Sequence, residues 1–69
     1  MKISARNVLK GKVISVSDGA VNTEITLELT GGAKVVSIIS KESAKKLGLK
    51  PGKKAYAIIK ASNVMMAVD

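Results

Sequence analysis

Cysteine and histidine are both absent from the 69 residues, and each absence removes a class of chemistry. Without cysteine there is no disulfide staple and no thiolate ligand. Without histidine, the usual imidazole acid–base catalyst is missing, and cysteine–histidine metal sites are excluded. Aromatic residues are reduced to one, Tyr56. Small barrels that bind single-stranded nucleic acid stack bases on aromatic side chains, each worth about 1–3 kcal/mol, so a single tyrosine is a thin supply. No apolar run approaches the ~20 residues that span a bilayer, and the front of the chain lacks the apolar core of a signal peptide. The chain therefore reads as a cytoplasmic protein with no membrane partner. Negative charge is scarce as well, with five Asp and Glu against twelve Lys and Arg, a formal net charge of +7.

That positive balance makes nucleic acid the first partner to weigh and a small anion the second. The lysines are spread through turns, helix and strand ends instead of forming one block, which favours the small anion; an OB-type single-stranded nucleic-acid-binding protein is the alternative reading. The apolar residues are almost all aliphatic. At this length one domain, residues 1–69, is expected, and a single core is marginal without metal, disulfide or subunit partners. Self-association is then the remaining source of burial.

The periodicity predicts strands and one short helix. Val8 to Ser17 reads as a first strand ended by Asp18-Gly19. Ala20 to Thr30 alternates cleanly, with Val21, Thr23, Ile25, Leu27 and Leu29 on one face and Asn22, Glu24, Thr26, Glu28 and Thr30 on the other. Gly31-Gly32 marks a tight hairpin turn. Ala33 to Ile39 is apolar on both faces and calls for cover on both sides. From Ser40 to Leu47 the pattern becomes helical, with Ser40 as N-cap, Glu42 in the first turn, Ala44 and Leu47 facing inward, Lys45 and Lys46 in the last turn and Gly48 as the stop. Beyond Pro51-Gly52, Lys53 to Lys60 reads as a fourth strand and Asn63 to Val68 as a fifth. Met65 and Met66 read as adaptable core filling rather than soft metal ligands. Three strands, a short helix and two strands give an all-β fold with one short helix, a five-stranded OB-like barrel.

Three places offer hydrogen-bond donors. Ser4, Arg6 and Asn7 set a hydroxyl, a permanent cation and an amide within four residues. Ser40 and Ser43 add hydroxyls at a helix start, where backbone N–H groups lack internal partners. Lys60 leaves an apolar strand into Ala61-Ser62-Asn63. Each has a plain structural alternative: Arg6 solvating a strand edge, Ser40 acting only as a cap, Lys60 reaching solvent. No catalytic residue is expected, since no serine or lysine has a base beside it, so the chain does not read as an enzyme.

Ser4-Ala5-Arg6-Asn7 with Leu9-Lys10-Gly11, Ser37-Ile38-Ile39-Ser40 with Ser43 and Leu47-Gly48-Leu49, and Ile59-Lys60-Ala61 with Asn63-Val64-Met65 resemble the molbindins. These are small cytoplasmic molybdate-binding proteins, similar also to the ligand-binding modules of molybdate-responsive regulators and molybdate transporter ATPases. The resemblance spans essentially the whole chain. It implies an OB-like TOBE module that assembles as a homohexamer, a trimer of dimers, and holds molybdate or tungstate between subunits for storage and homeostasis of molybdenum, with no organic cofactor. Carried over by position, the oxyanion contacts fall on Ser4 and Arg6, on Ser40, Ser43 and Ala44, and on Lys60 and Ala61, the two alanines contributing backbone N–H groups only. The resemblance also implies further anion positions near a threefold axis; these have no assigned residues, and the turn from Asp18 to Val21 is one region to test. The residue chemistry agrees: molybdate at neutral pH is a tetrahedral dianion without protons, so its shell should consist of donors alone.

Overall fold

The computed structural model describes residues 1–69. Strand β1 (Asn7–Asp18) is the longest element and the centre of the molecule. It pairs antiparallel with β2 (Asn22–Leu29) on one side and with β4 (Lys54–Ile59) on the other, while β3 (Lys34–Ser40) pairs antiparallel with the far side of β2. The resulting sheet has the order β3-β2-β1-β4. Helix α1 (Lys41–Leu47) connects β3 to β4.

Local chemistry explains each element. In β1 the apolar positions Val13, Ile14 and Val16 break strict alternation, and the pairing shows why. Val13 faces Leu27 and Ser15 faces Thr26, so Ile14 is the extra residue of a β-bulge. The bulge turns Ile14 outward and returns Val16 to the inner face, where it packs on the core. In β2 the alternation predicted from sequence holds for Thr23, Ile25 and Leu27, which are buried, and for Glu24 and Glu28, which are exposed, but Val21, placed on the same face as the buried residues, lies before the strand and is 72% exposed. The hairpin from β2 to β3 turns on Gly31 and Gly32, at φ +94° and +95°, values that L side chains rarely adopt. Ser40 caps α1, its Oγ accepting from the Ser43 amide at 3.1 Å, and Gly48 ends it in the left-handed region. The Lys53 ammonium then donates to the Leu47 carbonyl at the helix end.

Two expectations are corrected. The fifth strand, expected at Asn63 to Val68, does not form. A short 3-10 turn at Ala61–Asn63 redirects the chain after β4, and Met65, Met66 and Val68 stand 93%, 89% and 96% exposed. The segment is apolar and extended at Val64, but a strand requires a partner edge, and none lies beside it within one chain. The sheet consequently has four strands and two free edges, β3 and β4, instead of five. Leu47, expected inward with Ala44, is 59% exposed: a seven-residue helix lying on the sheet by one small side chain buries Ala44 and leaves Leu47 at the rim.

The core is small. Val13, Ile25 and Leu27 form its centre, with Val16, Leu29, Ile39, Leu49, Ala55 and Ala57 packed around them, and only five residues of the 69 are buried. The accessible surface is 5575 Å². A folded monomer of this mass would expose about 4,100 Å². The excess has an apolar source: Val36 and Ile38 on β3, Tyr56 and Ile58 on β4, and the terminal segment are all exposed.

Candidate functional site

The first donor group lies where β1 begins. The last rung between β1 and β4 pairs Asn7 with Ile59, so Arg6 and Lys60 stand one residue beyond it, each leaving its strand at the same end of the ladder. Both side chains are exposed, and neither has a carboxylate within ion-pair distance; the single ion pair of the chain joins Lys46 to Glu42 at 3.4 Å on the surface of α1. Ser4, at a bend, and Ala61, in the 3-10 turn, lie beside them in sequence and are likewise exposed. Two permanent cations without an anionic partner leave their charge available to something outside the chain.

Asn7, whose amide the sequence offered either to a ligand or to a turn, is used for neither. Its Nδ2–H donates to the Ile59 carbonyl at 3.1 Å, and the side chain is half-buried. A polar residue at the start of a strand, where the partner strand still has a carbonyl to satisfy, is the signal that could have revealed this.

The second donor group is at the start of α1. Ser40 and Ser43 share a hydrogen bond between hydroxyls at 2.9 Å, so of their two O–H protons one is used and one is left to donate outward. The Ser43 amide is taken by the Ser40 cap and the Lys41 amide by the Val21 carbonyl at 3.1 Å, so this helix start offers fewer free amides than a bare one. Ala44 is buried, and any contact from it would be through the backbone. Glu42, between Ser40 and Ser43 in sequence, is engaged with Lys46.

The register separates the two groups. Ser40 pairs with Asn22, next to Thr23, which pairs with Asp18 at the far end of β1 from Asn7. A straight strand of this length would run roughly 36 Å between its terminal residues, at about 3.3 Å per step. The longest dimension of the molecule is 34 Å. Arg6 and Lys60 therefore come together, Ser40 and Ser43 come together, and one copy of the chain does not bring the two pairs to a common point.

The hollows of the molecule do not substitute for such a point. One hollow of about 770 Å³ opens between the free edges β3 and β4 and is lined mainly by aliphatic residues such as Ile25, Leu27, Ile39 and Ala57. A dianion placed there would lose hydration against a mostly aliphatic wall, in which only Ser37, Lys53, Lys54 and Tyr56 carry side-chain donors. A smaller cleft of about 170 Å³ beside α1 brings Lys41 and Lys45 near Asp18, whose carboxylate repels an unprotonated anion.

Comparison with known proteins places this geometry. Residues 3–66 match the model of the TOBE domain. Over all 69 residues the chain is 51% identical to a probable molybdenum-pterin-binding protein of Haemophilus influenzae, covering the full length of both. Among solved structures, MopII from Clostridium pasteurianum in an apo form superposes with a TM-score of 0.92 at 46% identity, covering 97% of this chain and 100% of that one. The cytoplasmic molybdate-binding protein ModG, in a form with molybdate bound, superposes with a TM-score of 0.92 at 52% identity. That match covers 94% of this chain and 46% of ModG, so the chain spans about half of that protein's length.

Proposed function

The chain belongs to the TOBE-domain family as a Mop-like molbindin, and on that premise we propose that it is a cytoplasmic store that binds molybdate or tungstate where copies of the chain meet. The observation that carries this reading is the pairing of Arg6 with Lys60 at one end of β1 and of Ser40 with Ser43 at the other, both without acidic partners. A fully ionised tetrahedral oxyanion has acceptors on every side and no proton to give. A shell of a guanidinium, an ammonium and hydroxyls, completed by the backbone amides near Ala44 and Ala61, matches it, whereas protonated phosphate would require an acceptor as well.

Two copies supply what one lacks. If the Arg6–Lys60 end of one copy meets the Ser40–Ser43 end of another, the site closes without either chain bending. The same assembly would cover the free edges of β3 and β4 and the exposed segment from Val64 to Val68, consistent with the surface excess. We propose a homohexamer, a trimer of dimers, with Ser4, Arg6, Lys60 and Ala61 from one copy and Ser40, Ser43 and Ala44 from its neighbour around each ion. No step of chemistry is involved; loading and release follow the free concentration of the ion.

Arg6 and Lys60 should dominate the affinity, because hydrogen bonds to charged groups are worth about 1.5–3 kcal/mol, or tenfold and more in binding. Titration calorimetry with molybdate on Arg6→Ala and Lys60→Ala tests the assignment, with the mass in solution measured alongside. At least tenfold weaker binding in both, at unchanged mass, is the expected result. Wild-type affinity in both variants would remove these residues from the site.

A further inference from the structure

We infer that Asn7 is the positioning residue of the oxyanion site, acting on the ion through Lys60 and Arg6 rather than by touching it. The inference rests on the binding reading above and adds a residue to it. The Nδ2–H of Asn7 donates to the carbonyl of Ile59, the residue directly before Lys60. Pinning that carbonyl orients the peptide plane that joins Ile59 to Lys60, and so the direction in which the Lys60 backbone and side chain leave β4. Asn7 is also the residue directly after Arg6, so the same bond fixes both exits from the ladder against each other.

Beyond the turn itself, where the Asn63 amide donates to the Lys60 carbonyl at 2.9 Å, no side chain holds these exits. The β1–β4 ladder ends at the Asn7–Ile59 rung, and Lys60 enters the 3-10 turn with no side-chain cap. Arg6 and Lys60 make no ion pair, and both are exposed. Without the amide, the last rung of an edge strand frays and the two cations sample separate directions. The chemistry at position 7 is specific: a carboxylate has no donor for the Ile59 carbonyl, and an alkyl side chain leaves that half-buried carbonyl without its partner. Position, donor character and reach are met together by asparagine, and the bond spans 52 residues of sequence.

A double-mutant cycle distinguishes positioning from general support of the fold. Asn7→Leu keeps the side chain's approximate volume and removes the donor. Molybdate affinity is measured by calorimetry in four proteins: wild type, Asn7→Leu, Lys60→Ala and the double variant, with Arg6→Ala as the control for the site itself. Asn7→Leu should weaken binding about tenfold in the wild-type background. In the Lys60→Ala background only the part carried through Arg6 remains, so its effect should fall clearly below the loss seen in the wild-type background. An equal loss in both backgrounds would mean that Asn7 supports the fold and not the site, and no loss in the first would overturn the inference outright. If Asn7→Leu does not assemble, Asn7→Ala, which likewise lacks a donor, is carried through the same cycle with the same two criteria. Unchanged binding in Arg6→Ala and Lys60→Ala would instead sink the underlying assignment, so the two failures are separable.

Discussion

Gly11 sits on the inner face of β1 opposite Leu29, at a point where β2 crosses closely. A Cβ there would lie 2.5 Å from the Glu28 carbonyl oxygen and 2.9 Å from the Leu27 side chain, one backbone atom and one core atom, neither free to move. Gly11→Ala should therefore destabilise the fold by about 1–3 kcal/mol, the range of overpacked cores, and lower the midpoint of chemical unfolding. A midpoint equal to wild type would show that β1 and β2 separate more easily than their packing indicates. The sequence showed Gly11 only as part of a recurring motif, because nothing local distinguishes a glycine of close approach from a glycine of a turn. Asn7 was misjudged for a related reason. Its donor was visible, but the acceptor that takes it, Ile59, lies 52 positions away.

Among the elements, α1 was the most legible. Ser40 as cap, Glu42 in the first turn, Lys45 and Lys46 in the last and Gly48 as the stop are local signals, and the helix occupies the residues they delimit. The strands were legible where one face is wet, as in β2, and less so in β1, where the bulge at Ile14 interrupts the period of two. The fifth strand was read from composition alone, and composition says that a segment is apolar, not where its partner edge is. Because Ser40 is both cap and candidate donor, two substitutions separate its roles. Ser40→Ala should cost about 0.5–2 kcal/mol of stability through the lost cap. Ser43→Ala leaves the Ser40–Ser43 amide bond in place and should weaken molybdate binding while the unfolding midpoint stays near wild type. Loss of stability in Ser43→Ala at unchanged affinity would reverse that assignment.

For the whole molecule, the central observation is that Arg6 and Lys60 lie at the start of β1, whereas Ser40 and Ser43 lie two strands away, level with its far end. From the sequence alone, three donor clusters were expected to meet between copies of the chain, but which of them share one end of the fold became visible only with the register. The small core, the open edges and the apolar terminal segment all point to copies completing one another, and the binding proposal stands on that completion. Co-assembly tests it most directly. An Arg6→Ala/Lys60→Ala chain and a Ser40→Gly/Ser43→Ala chain, the glycine retaining most of the cap, are each expected to bind molybdate poorly alone. Co-expressed in equal amounts, they should recover about a quarter of the wild-type sites at wild-type affinity, since one interface in four then joins the intact end of each. Mixed oligomers that recover no sites, while both chains assemble normally, would contradict an ion held between copies of the chain.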